Sequence, residues 1–136
     1  MSRLTDEDAR EFPAKTVEEG GVSHLGISVR QHGLITAYVM RDLLELIACP
    51  IKEELVPKAV AVLSLLHDIG KLNPLFLQKL LGAVRFDESI SRWAALAKVA
   101  AGLAEVYHAQ VSAIVLKALS APTDCAKVVA AHHGVA

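Results

Sequence analysis

Aromatic residues are scarce in this chain: three Phe, two Tyr and one Trp make up 4% of it, although 53% of its residues are apolar. A core must therefore be built from Ala, Leu, Val and Ile, a mixture that favours packed helices. Cysteine is scarce too. Cys49 and Cys125 form neither a zinc-ligand spacing nor a disulfide framework, which suits a reducing cytoplasm. No apolar run reaches the roughly 18 uncharged residues that a membrane span requires, because Pro57 and Lys58, or Lys98 and Glu105, interrupt the longest ones. The chain reads as soluble, with no membrane partner. Its first residues, among them Arg3, Asp6, Glu7, Asp8 and Arg10, lack the basic-then-apolar layout of a secretory leader, so the expected location is cytoplasmic. Nor does either charge dominate. With 14 basic and 15 acidic residues and a net charge of −1, there is no general attraction to nucleic acid, and any such binding must be local, through a groove or a metal. Period-two alternation and internal repeats are also missing, and 136 residues make one domain.

What is present is helical periodicity. Residues 1–28 read as polar and irregular, with Pro13 and Gly20-Gly21 as breakers. From Val29 to Ala48 apolar residues recur at helical spacing (Leu34, Ile35, Tyr38, Val39, Leu43, Leu46, Ile47), and Pro50 closes the run. A second helix is expected from Pro57 to Ile69, apolar nearly all round and hence central. Asn73-Pro74 to Leu81-Gly82 has a cap, a first-turn proline and a terminal glycine. Further helices are expected from Asp87 or Ser89 through Ala100, from His108 to Leu119, and from Pro122 to His133 with Gly134 as a stop.

The stretch Leu65-Leu66-His67-Asp68-Ile69-Gly70-Lys71 sets an imidazole and a carboxylate side by side at the end of an apolar helix, with Gly70 expected to end it in the left-handed conformation. Neutral imidazole and carboxylate together suit divalent transition ions, and a bound cation offsets the cost of burying the charge. The plain alternative is a polar, solvated helix end. The other histidines bear on that choice. Of six, five fall at expected helix ends: His32 and His108 in first turns, His67, His132 and His133 in last turns. Antiparallel packing can bring such ends together.

The order His32, His67-Asp68, His108, His132-His133 resembles the HD superfamily of metal-dependent phosphohydrolases, and the flanking residues are most similar to the HD nuclease of type I CRISPR interference. The strings that carry the likeness are Ser28-Val29-Arg30-Gln31-His32, Leu66-His67-Asp68-Ile69-Gly70-Lys71, His108 followed by Ser112-Ala113, and Ala131-His132-His133-Gly134. The resemblance implies a helical bundle holding one or two divalent transition-metal ions (Mn, Fe, Co or Ni) and hydrolysis of phosphodiester bonds in single-stranded DNA during antiviral defence. It implies His32, His67, Asp68, His108, His132 and His133 as metal ligands, with Asp68 bridging two ions. Asp68 and Lys71 are the expected catalytic residues, Lys71 as a point cation for phosphate or transition-state charge. The implied partners are single-stranded DNA, a helicase domain or subunit, and the CRISPR surveillance complex, Cascade.

Alternatives stand beside several of these. Lys71 is equally suited to the negative end of the helix dipole. His24 could replace His32. Ser112 either bonds a ligand or phosphate, or simply packs between helices. Trp93 is expected in the core, and Arg30, Arg41, Arg85 and Arg92 are too dispersed to form a basic track. One departure from the family is visible: a further aspartate belongs downstream of the His-His pair, whereas Asp124 precedes it and the sequence stops at Ala136. The expectation is therefore a fragment of a longer nuclease-helicase, holding metal weakly for want of that ligand. The expected fold is all-α, a single HD-type bundle of five or six helices over residues 29–136, truncated at its C-terminus and preceded by an irregular arm, 1–28. The expected function is a metal-dependent endo- or exonuclease that activates water. The alternatives are an HD phosphohydrolase acting on nucleotides or other phosphomonoesters, and a catalytically incomplete helical module used for docking.

Overall fold

A computed structural model describes residues 5–46, 55–84, 90–104 and 106–132. Pro50, Asp87, Ser89, Cys49, Arg85, His133 and Gly134, each given a part in the expectations above, lie outside the described residues. Within them the fold is helical: α1 (Asp6–Glu11), a hairpin of β1 (Thr16–Glu19) and β2 (Val22–Leu25), then α2 (Val29–Leu46), α3 (Leu55–Leu66), α4 (Pro74–Ala83), α5 (Ile90–Ala97), α6 (His108–Ala118) and α7 (Thr123–Ala130). Short 3-10 turns follow α3, at Ile69–Lys71, and α5, at Lys98–Ala100. The six helices from α2 onward form the all-α bundle that the periodicity implies.

Residues 5–28 hold more regular structure than expected. Thr5 caps α1 by a reciprocal box: its Oγ1 accepts from Asp8 N at 3.1 Å, while Asp8 Oδ2 accepts from Thr5 N at 3.0 Å. Gly20 and Gly21 take φ of +59° and +80°, the left-handed pair that a two-residue hairpin turn demands. Phe12 then runs antiparallel to the entry of α2, with Val29 N donating to Phe12 O at 2.8 Å. Its ring is 1% exposed and meets Trp93 edge-on at 5.4 Å between centroids. Such a pair contributes about 0.5–1.5 kcal/mol beyond its buried area. Phe12, Ala14, Val29, Leu77, Trp93 and Ala97 make one hydrophobic cluster; Ala113, Leu116, Ala126 and Val129 make a second.

Ser28 opens α2 by exchanging hydrogen bonds with Gln31, whose amide N–H donates to Ser28 Oγ at 3.1 Å while Gln31 Oε1 accepts from Ser28 N at 3.0 Å. α2 lies along α3, and α6 packs on both α7 and the turn after α3. α3 is not enclosed on all sides: Leu63 and Leu66 pack on the second cluster, whereas Val62 is half exposed. α3 also ends at Leu66, so His67 and Asp68 stand in the turn beyond it rather than in its last turn. α4 begins as expected, with Asn73 Oδ1 accepting from Phe76 N at 2.9 Å, but Gly82 lies inside it. α7 stops at Ala130, leaving His132 in the following turn.

Candidate metal centre

Four separate segments deliver side chains to one carboxylate. His32 comes from the first turn of α2, His67 from the turn that carries Asp68, His108 from the first residue of α6, and His132 from the turn after α7. The Asp68 side chain is 4% exposed, and its two oxygens divide the imidazoles between them. Oδ2 faces His32 Nε2 at 3.1 Å and His67 Nε2 at 3.2 Å; Oδ1 faces His108 Nε2 at 3.1 Å and His132 Nε2 at 3.3 Å. The rings adjoin one another, His67 and His132 at 5.1 Å between centroids and His32 and His67 at 5.5 Å. Lys71 Nζ lies 2.7 Å from Asp68 Oδ2 and 5.4 Å from the centre of the Phe76 ring, which meets His108 edge-on. Neither role foreseen for Lys71 included this ion pair.

Burial is the largest single influence on Asp68 and opposes its charge. The hydrogen bonds and charges of His67 and Lys71 together outweigh it, holding the carboxyl well below the usual range. The hydrogen bond to Asp68 raises His67, against the effect of burial. His32 is lowered, first by burial and then by the charge of Lys71.

Two backbone contacts set the chemistry of the rings. His67 Nδ1 lies 2.6 Å from Ser64 O and His132 Nδ1 2.5 Å from Val129 O. A carbonyl oxygen only accepts, so each Nδ1 carries the proton, and in the neutral ring Nε2 presents a lone pair towards Asp68. A carboxylate and inward-facing imidazole lone pairs repel one another unless a positive charge lies among them, and Lys71 supplies one beside Oδ2. Asp68 Oδ1 is moreover buried without a well-formed hydrogen bond, a costly condition for a charged atom. The donors fall into two groups, His32/His67/Asp68 and Asp68/His108/His132, each compact enough to hold one ion. Imidazole nitrogen with carboxylate oxygen is a donor set for divalent transition metals, and histidines that bind such metals usually donate their other ring N–H to a carbonyl or carboxylate, as His67 and His132 do here. The residues fit a metal.

A family model described as "Cas3, HD domain" matches residues 14–136. The chain belongs to the Cas3 HD-domain family. That places it with the nuclease part of the nuclease-helicase of type I CRISPR systems. Searches of curated proteins and of solved structures found no match. The family match begins before Ser28, where the quoted motifs start, and takes in Ala14, the hairpin and His24. In this HD domain His24 stands opposite Val17 on the hairpin and is in neither donor group. His32 occupies the place beside Asp68.

Two glycines that position the site drew no notice in the sequence, or drew it for another reason. A Cβ at Gly33, next to His32, would overlap the Leu65 carbonyl oxygen, so only glycine lets α2 come this close to α3. Gly70 does not take the left-handed conformation expected of it. It is needed because a Cβ there would overlap His108 O and stand 2.5 Å from Ser112 N. A glycine one residue past a candidate ligand, at the start of a helix, was the available signal for Gly33.

Proposed function

We propose that this chain is a metal-dependent nuclease domain that cleaves single-stranded DNA in CRISPR-mediated defence, in the cytoplasm, working with a helicase domain or subunit and the surveillance complex. The observation that carries the proposal is the division of the Asp68 oxygens between two pairs of imidazoles, which gathers two compact donor groups around one carboxylate. His32, His67 and Asp68 would hold one ion, and Asp68, His108 and His132 a second. His133, expected as a further ligand, lies outside the described residues. Bound Mn, Fe, Co or Ni supplies Lewis-acid charge for phosphoryl oxygens and acidifies water near neutral pH.

The chain's own residues do the rest. Ser64 and Val129 carbonyls fix His67 and His132 by their Nδ1 protons. Lys71, beside Asp68 and over Phe76, offers a compact cation to a phosphate oxygen. The histidine side chains are 18–23% exposed around a carboxylate that is 4% exposed, and His132 Nε2 is itself buried beside it.

The test supplies the purified chain with Mn²⁺, Co²⁺ or Ni²⁺ and compares cleavage of single-stranded DNA with phosphate release from nucleotides. Cleavage that a chelator abolishes is expected. Phosphate release without DNA cleavage would assign a phosphomonoester substrate instead. Failure to retain metal, with stability unchanged by His67→Ala, would make the domain a docking module.

A further inference from the structure

We propose that Ser112 is a positioning residue for this centre, its hydroxyl locking the turn that carries Asp68 to the helix that carries His108. The inference rests on the metal-centre reading above. Ser112 is fully buried and stands one helical turn after His108 on α6. Its Oγ accepts the Gly70 N–H at 2.8 Å, joining residues 42 apart in sequence. Gly70, itself buried, lies two residues past Asp68. A Cβ on it would overlap His108 O, stand 2.5 Å from Ser112 N and 2.8 Å from Ser112 Oγ. The turn is thus pressed onto the first turn of α6 with no room for a side chain, and the Gly70 N–H meets a hydroxyl.

Packing alone does not call for serine here. Alanine would fill nearly the same space, and a buried hydroxyl is unfavourable unless it is bonded. What the hydroxyl adds is direction: it fixes how far the turn lies along α6. The 3.1 Å separation of His108 Nε2 from Asp68 Oδ1 spans these same two elements, so the lock sets it. Ligands held by secondary contacts of this kind lose about 10–100-fold in metal affinity when the contact goes.

The test compares wild type with Ser112→Ala, with Ser112→Cys, which keeps a weak acceptor on a somewhat larger side chain, and with Leu116→Val, a buried change one turn further along α6. Three quantities are measured: Co²⁺ affinity with its visible absorption, Tm, and, in metal-free protein, Gly70 amide exchange and the His108 ring resonances. Ser112→Ala is expected to weaken Co²⁺ binding about 10–100-fold, change the absorption bands, speed Gly70 exchange and move the His108 resonances. Ser112→Cys should fall between it and wild type, and serves in its place if the alanine variant does not fold. Leu116→Val should lower Tm and leave affinity and spectrum alone. Wild-type affinity in Ser112→Ala, or equal loss in Leu116→Val, would overturn the proposal. If wild type binds no Co²⁺, the metal-centre reading fails separately. The metal-free resonances then decide: His108 unmoved in Ser112→Ala overturns the lock, and His108 moved there but not in Leu116→Val upholds it.

Discussion

The two hydrophobic clusters are built from different materials. Around Phe12, Leu77 and Trp93 the side chains are large, and the cluster is tied from outside by Arg92, whose guanidinium lies over the Trp93 ring at 5.0 Å and pairs with Asp8 and Glu11. The second cluster has no aromatic ring: Leu116 and Val129 share it with Ala113 and Ala126, Ala109 and Ser112 are also buried on α6, and Gly70 is wedged against α6 and Gly33 against α3. Large side chains bury much area at the cost of distance between backbones. Small ones bury little but let backbones approach, and only close backbones bring four histidines from separate segments to one carboxylate. Stability and site geometry are thus concentrated in different parts of the molecule.

Substitutions in the two regions should separate the two properties. The largest effect is expected from Asp68→Ala, which removes the group all four imidazoles share. Metal affinity should fall by more than about 100-fold, beyond the range for supporting residues, and the rise in Tm on adding Mn²⁺ should vanish; a retained rise would show that Asp68 is no ligand. Trp93→Ala should be the mirror image, costing about 3–5 kcal/mol in chemical denaturation while the folded protein keeps its metal affinity. Loss of affinity with little loss of stability would erase the distinction between the regions. Gly33→Ala should touch both, forcing α2 from Leu65 at a cost of about 1–3 kcal/mol and weakening metal binding through His32. A variant as stable as wild type would refute the close packing there.

The smallest effect belongs to the exposed network. Asp8 is held below its ordinary value of 3.8, first by the Thr5 side-chain hydrogen bond and backbone cap and, less strongly, by Arg92. A carboxylate lowered on folding stabilises the protein above the unfolded value, and the contribution disappears as pH falls through the lower folded value. Arg92→Ala should therefore leave Tm at pH 7 little changed, exposed pairs being weak, and flatten only slightly the fall of Tm below pH 3.8. Thr5→Ala should flatten it more. The reverse order would mean that the ion pair, not the cap, controls Asp8.

Much of this was legible in residues 29–132. Helical periodicity marks α2, α4 and α6 because side-chain spacing along a helix is a local property, and Asn73 announces its cap because capping is decided within three residues. The hairpin was legible only as a break at Gly20-Gly21, because its short, mostly exposed strands lack the alternation of a half-buried sheet. Phe12 was not: nothing near it in sequence says that its partner is Trp93.

For the centre, the sequence by itself determined a short set of candidate donors and their order, with His24 and His32 as alternatives, since a metal admits few residue types. Only the tertiary structure decided which oxygen of Asp68 faces which histidines, that His32 and not His24 stands beside it, that Lys71 pairs with the carboxylate, and that Gly70 is required for contact rather than for conformation. Each of these depends on how closely two backbones pack, a distance set by residues such as Gly33, Gly70 and Ser112 acting across the chain, and no periodicity within one helix encodes it.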